Sequence, residues 1–258
     1  MRRILHCFTI LICSISAISA CSLSTAPSTS TYGSGPRRIL FVGNSLTAAN
    51  DMPSMLVALA ESAKVSPLPS VDVYWLPDYA LIDHWNAGGA RALVAGRHYD
   101  LVVLQQGPSS VAVNRDTLRI AASLFAPLIR SGGGMPAMLA VWPTIDRLQD
   151  FDRATESYSL AAKEVRGYML PGGEVWRAAW RRDPSLLFYS DGLHPSPLGS
   201  YAVALSILGM LYDRSVVGLP SSFRLRGAGS YAFEPTVARL IQESADEANK
   251  RYGFQGRP

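Results

Sequence analysis

Cysteine is scarce and confined: the 258 residues hold three, Cys7, Cys13 and Cys21, and none follows position 21. A domain built from the remainder has neither a disulfide nor a thiolate metal site. Histidine is nearly as sparse. After the first residues only His84, His98 and His194 occur, without H-x-x-x-H or H-x-H spacing, so no metal is expected. No cofactor is expected either, since Gly132-Gly-Gly134 lacks a following Lys-Ser/Thr and reads as a helix-end loop rather than a phosphate cradle. Charge is low at 17%, with a formal net of +4, and no Lys/Arg run or basic stripe interleaved with aromatics is present. Nucleic acid is therefore not an implied partner. What remains is 48% hydrophobic, which fits a soluble globular domain with one sizeable core.

The longest apolar run is at the front. Arg2-Arg3 precedes Ile4 to Ala20, a stretch punctuated by small residues and too short and serine-rich for a comfortable membrane span. Residues 1–20 read as a signal peptide. Ile18-Ser-Ala-Cys21 resembles a bacterial lipobox, which implies that Cys21 is lipidated and anchors the chain to a membrane by its acyl groups. Ser22 rather than Asp after that cysteine implies, by the same resemblance, an exported protein on the outer membrane facing the periplasm. From Cys21 to Pro36 the chain is Ser/Thr/Pro/Gly-rich without an apolar period, a flexible tether. Residues 37–258 are the folded domain.

Two stretches carry chemistry. Arg38-Ile-Leu-Phe-Val-Gly-Asn-Ser-Leu-Thr47 reads as a buried parallel strand ended by a Gly-Asn turn, with a helix beginning near Ser45. That turn puts the Ser45 hydroxyl at the carboxyl edge of a sheet, beside backbone N–H groups suited to a developing oxyanion. A serine is a poor nucleophile at neutral pH and needs an imidazole to take its proton and a carboxylate to orient the imidazole. Ser190-Asp-Gly-Leu-His-Pro-Ser196 offers both, Asp191 and His194, in one turn-rich loop.

Gly43-Asn-Ser-Leu-Thr47 and Asp191-Gly-Leu-His-Pro195 resemble the first and last blocks of the SGNH (GDSL-like) hydrolase superfamily, and the resemblance spans about Arg37 to Tyr212. It implies a three-layer α/β/α fold around a mostly parallel five-stranded sheet, of SGNH or flavodoxin-like type. It also implies a Ser45, His194 and Asp191 triad. Asn44 stands where many relatives carry Asp. The middle blocks depart from the pattern. Pro77 to Trp85 has no glycine to offer an oxyanion N–H, so a backbone N–H of Asp78 or Tyr79 is expected to serve beside that of Ser45. Leu101-Val-Val-Leu-Gln-Gln-Gly-Pro108 ends in glutamines where relatives carry asparagine. Gln105, with Gln106 as the alternative, is expected in the oxyanion hole, and Asn44, Gln106 and Trp142 along the substrate pocket. Trp75, Tyr79, Trp85 and Trp142 are either an aromatic wall or ordinary packing.

Along the chain, helices are expected at 53–63, 115–129, 151–165, 174–181, 197–212 and 234–251, with a short helical connector at 88–96. Strands are expected at 71–76, 100–105, 136–142 and 168–170, while 77–85 reads as a loop and 216–233 shows no clear pattern. Repeated strand-then-helix units argue for a parallel sheet with its carboxyl ends on one edge. The expected activity is that of a serine esterase on a small-molecule or saccharide ester, with an O-acetyl or other short acyl group as first choice. An acyltransferase on envelope glycans, or a catalytically weak glycan-binding lipoprotein, are the alternatives.

Overall fold

In the computed structural model, five strands form one all-parallel sheet in the order β2-β1-β3-β4-β5, namely Ser70–Trp75, Arg38–Gly43, Leu101–Leu104, Met135–Leu139 and Tyr168–Leu170. The structure describes residues 35–227 and 229–253. The leader, Cys21 and all of the tether before Gly35 lie outside these residues. Ile39 to Val42 are fully buried, as an unbroken apolar run in a central strand requires. Full burial of each such side chain contributes about 1.5–3 kcal/mol. By contrast β2 alternates and leaves Val73 and Trp75 exposed, in keeping with its place at the sheet edge.

Nine α-helices are present among the described residues: α1 (Ser45–Ala48), α2 (Met52–Ser62), α3 (Leu81–Ala87), α4 (Gly89–Gly96), α5 (Ala112–Ser131), α6 (Phe151–Glu164), α7 (Gly172–Trp180), α8 (Pro197–Tyr212) and α9 (Pro235–Ala248). Helices α2, α7, α8 and α9 pack against one another, as do α3 to α6, giving two helical layers about the sheet. Helix α8 is apolar all round, and Gly199 to Leu211 are buried along its whole length, the placement such a helix must find. No helix among the described residues is long and apolar enough to cross a membrane.

Two segments differ from expectation. The 77–85 stretch holds the start of α3, because Asp83 accepts the Ala80 N–H (2.8 Å) and caps a helix that buries Leu81 and sets Trp85 edge-on against Phe125. The 216–233 stretch contains a two-stranded antiparallel ribbon, β6 (Ser222–Arg224) with β7 (Ser230–Ala232). Its Phe223, Tyr231 and Phe233 gather around Tyr201 of α8, a tertiary contact that three-residue strands cannot announce.

From β1 the chain goes to one side of the sheet for β2 and to the other for β3, so the order reverses at β1. In open parallel sheets, ligands bind at the carboxyl ends of the strands flanking such a switch point. Ser45 follows β1, and Gln105 and Gln106 follow β3.

Candidate active site

The Ser45 turn is packed tightly. Asn44 accepts the Leu46 N–H on its Oδ1 (3.1 Å) and caps α1, leaving Ser45 as the first helical residue. Gly43 is required by space: a Cβ there would lie 2.5 Å from Gln105 Oε1 and 2.7 Å from Thr47 Oγ1. The Gly43 carbonyl accepts two donors, the Leu76 N–H (3.3 Å) and His84 Nε2–H (2.8 Å). His84 is fully buried, and burial holds its imidazole below the usual histidine value, so it is a neutral donor through Nε2. Its Nδ1 has no partner among the described residues.

The second half of the site is a loop closed on itself. Tyr189 and Pro195 form an isolated antiparallel bridge, and the Ser190 N–H donates to the His194 carbonyl (2.9 Å). Inside this ring Asp191 Oδ1 accepts the Leu193 and His194 N–H groups (3.0 and 2.7 Å), which frees Oδ2 for His194 Nδ1 at 2.7 Å. Gly192 supplies the φ of +89° that the turn needs. From the β4 side, Trp142 Nε1–H donates to the Leu193 carbonyl (2.9 Å), the Ile145 N–H to that of Gly192 (2.9 Å), and Tyr189 O–H to that of Pro143 (2.6 Å).

Charge follows from this geometry. The hydrogen bond from His194, with those from the two loop amides, holds the Asp191 carboxyl down at about 2. An ionised carboxylate only accepts, so the His194 proton sits on Nδ1 and Nε2 presents its lone pair. Ser45 Oγ lies 2.9 Å from that Nε2, at a sequence separation of 149. The structure thus brings Ser45, His194 and Asp191 into one hydrogen-bonded line. Both loop residues meet solvent, with side-chain exposures of 34% for His194 and 55% for Asp191.

A cleft of about 280 Å³ opens at Ser45, walled by Asn44, Asp78, Tyr79, Gln106, Asn114 and Leu193 among others. The Ser45 and Asp78 N–H groups have no acceptor among the described residues. Asp78 takes a φ of +59°, the left-handed conformation that Asp tolerates better than most non-glycine residues. The Tyr79 N–H is turned to the Leu76 carbonyl at 3.5 Å. Two expectations need correction. Gln105 is fully buried and does not face the cleft: its Oε1 accepts the Asn44 N–H (3.0 Å) and Thr47 O–H (2.7 Å), and its Nε2 donates to Asn44 Oδ1 (3.0 Å) and the Gln106 carbonyl (2.6 Å). Trp142 is also buried, stacked on Trp176 at 3.7 Å, and anchors the base loop instead of lining a pocket. Gln106 and Asn44 do line the cleft, with both ends of each carboxamide engaged. Gln106 accepts the Leu81 N–H and donates to Ser109 Oγ and the Asn114 carbonyl, so it staples three cleft walls together.

One contributor has no motif to announce it. Asn50 Nδ2 donates to the Pro195 carbonyl (2.8 Å) and to Ser200 Oγ (2.9 Å), while its own carbonyl accepts Tyr231 O–H (3.0 Å). It clips the chain just after Ser45 to the chain just after His194. Asn50 has a φ of +55°, and its partner 145 residues away is not legible locally. Elsewhere, a larger hollow of about 520 Å³ between α5 and α6 holds the Arg119–Glu164 ion pair beside Asp116, Ile120, Ser123 and Leu124, with no histidine among its lining residues. Among the described residues no group of three or more His, Cys, Asp or Glu could hold a metal ion.

No protein-family model matches the chain, and no curated protein matches it. Solved structures do. A candidate SGNH hydrolase from Slackia heliotrinireducens is 27% identical with a TM-score of 0.56, over 67% of this chain and 97% of that one. A DUF4886 family protein from Bacteroides uniformis superposes with a TM-score of 0.67 at 16% identity, over 82% of this chain and 94% of its own. A catalytic mutant of an acetylxylan esterase from Geobacillus stearothermophilus gives a TM-score of 0.53 at 17% identity, over 71% and 98%. By its structural neighbours, the chain has the fold of the SGNH and GDSL-like hydrolases.

Proposed function

We propose that this protein is a serine esterase in which Ser45 is the nucleophile, His194 the general base and then acid, and Asp191 the group that orients and stabilises the imidazolium. The observation that carries this reading is the unbroken line Ser45 Oγ, His194 Nε2, His194 Nδ1, Asp191 Oδ2, with links of 2.9 and 2.7 Å at its two ends. His194 Nε2 takes the hydroxyl proton as Oγ adds to the ester carbonyl. The oxyanion forms within reach of the Ser45 and Asp78 N–H groups. As the tetrahedral species collapses, the C–O bond to the alcohol breaks and Nε2 returns its proton to the departing oxygen. Water then gives a proton to Nε2, attacks the acyl-Ser45 carbonyl, and the acid leaves with Oγ reprotonated.

The cleft is small and its walls carry the Asp78 and Asn114 side chains, which have no hydrogen-bond partner among the described residues; this favours a short acyl group on a hydroxyl-bearing alcohol such as a saccharide. The acetylxylan esterase among the neighbours adds to that preference. Release of p-nitrophenol from p-nitrophenyl acetate, lost in Ser45→Ala, together with fluorophosphonate labelling at Ser45, tests the reading; equal slow rates for both proteins overturn it. We propose further that Cys21 carries a lipid anchor on an exported chain. Labelling by a fatty-acid analogue that disappears in Cys21→Ala tests that, and unchanged partition into the soluble fraction overturns it.

A further inference from the structure

We propose that Asn44 is a positioning residue: its carboxamide, braced by Gln105, sets the Asp78–Tyr79 loop against Ser45 so that the Asp78 N–H is aimed before substrate arrives. The inference rests on the esterase reading and concerns how its oxyanion hole is held together.

The 77–80 loop has few ties of its own. Asp78 is exposed and left-handed, the Tyr79 N–H reaches the Leu76 carbonyl only at 3.5 Å, and Ala80 N–H is committed to capping α3 through Asp83. Among the described residues, the hydrogen bond that links this loop to the nucleophile segment is Asn44 Nδ2–H to the Tyr79 carbonyl at 3.1 Å. The orientation of the Asn44 amide is dictated by its partners, since the Leu46 N–H can only donate and the Tyr79 carbonyl can only accept. Asn44 Oδ1 also accepts Gln105 Nε2–H, and the Asn44 N–H is held by Gln105 Oε1. A continuous relay therefore runs from the end of β3 through Gln105 and Asn44 to the carbonyl of Tyr79. Asn44 is 7% exposed and Gln105 fully buried, which shields the bonds between them from water, while the bond to Tyr79 is part-buried at the cleft wall.

The relay needs a side chain that accepts on one atom and donates on the other. A carboxylate at position 44 would keep the bonds from Leu46 and Gln105 but turn an oxygen toward the Tyr79 carbonyl oxygen. Two acceptors then face one another and the loop is pushed off. Likewise a carboxylate at position 105 still accepts from Asn44 N–H and Thr47 O–H, yet loses both donors.

The experiment compares wild type, Asn44→Asp and Gln105→Glu, each isosteric, by p-nitrophenyl acetate kinetics and amide hydrogen exchange. Mis-aiming one oxyanion donor costs about 10²-fold or more in kcat. Asn44→Asp should lose on that order in kcat with KM nearly unchanged, and its hydrogen-bonded Tyr79 and Ala80 amides should exchange roughly tenfold faster while β1 and β3 stay protected. Gln105→Glu should move both readouts the same way by less. Where Asn44→Asp also loosens β1 and β3, Gln105→Glu, which leaves Asn44 in place, is read instead. Activity within twofold of wild type, a loss confined to KM, or a kcat loss with unchanged exchange at Tyr79 and Ala80 overturns the inference. Should wild type show no Ser45-dependent turnover, the esterase reading falls. The exchange comparison then decides the relay alone, and unchanged exchange at Tyr79 and Ala80 overturns it.

Discussion

The two halves of the site are held by opposite means. The nucleophile turn is embedded at the switch point of the sheet, where Gly43, Asn44 and Gln105 exclude water and every side-chain polar atom of the two amides finds a partner. The base loop stands half in solvent and keeps its shape through backbone hydrogen bonds around Asp191 and anchors from Trp142, Ile145 and Tyr189. The first half is intolerant of added volume and the second of lost anchors. Solvent also screens the Asp191–His194 pair, so its carboxylate contributes less than a buried one would.

The largest expected effect removes the base. His194→Ala should lower kcat/KM for p-nitrophenyl acetate by about 10³-fold or more, leaving only what positioning and the oxyanion donors supply. Asp191→Asn sharpens the contrast. Replacing a buried carboxylate in such a triad costs about 10⁴-fold, and the half-exposed Asp191 should cost less, on the order of 10²-fold to 10³-fold, because water can solvate the imidazolium. Its titration adds a signed test. With the carboxyl held down at about 2, its ionised form favours the fold fully above the ordinary 3.8, and that contribution disappears as pH falls through about 2. An acid limb in activity at higher pH must therefore survive in Asp191→Asn, which a pH profile of both proteins checks.

Next comes Gly43→Ala, whose Cβ must displace Gln105 or Thr47. Overpacking of this kind costs about 1–3 kcal/mol, readable by denaturant unfolding, and should lower kcat as well. Asn50→Ala removes two hydrogen bonds between the halves and should cost about 1–2 kcal/mol, with slower fluorophosphonate labelling of Ser45 as the functional signature. Trp142→Phe keeps the stack on Trp176 but removes the donor to Leu193, and a loss of about 1 kcal/mol with a several-fold drop in kcat is the smallest change expected. If Trp142→Phe harms activity more than Gly43→Ala, the assignment of rigidity to the embedded half is wrong.

Much of the framework was legible because it is periodic. The run Ile39 to Val42, the edge-like alternation of Val71 to Trp75, and the all-apolar Pro197–Tyr212 helix lie where the pattern puts them. Helix α3 was missed because its start depends on a cap from Asp83 rather than on apolar spacing, and the β6–β7 ribbon because each strand is three residues long. The residues nearest the proposed chemistry divide the same way. Ser45, Asp191 and His194 stand in local motifs, whereas Gln105 and Trp142 were assigned to the cleft because a glutamine and a tryptophan at strand ends look identical in sequence whether they face ligand or core.

Sequence alone determined the strand-turn that presents Ser45 and the tight loop that pairs Asp191 with His194, because each carries a local signal: a Gly-Asn turn capped by Asn44 two residues before Leu46, and a glycine of positive φ beside an aspartate whose Oδ1 bonds the amides two and three positions on. Only the tertiary structure decided that Gln105 braces Asn44, that Asn50 clips one segment to the other, and that Ser45 meets His194. Those contacts span 61, 145 and 149 residues, and a hydrogen-bonding group carries no mark of which distant partner the packing of the sheet and α8 will bring to it.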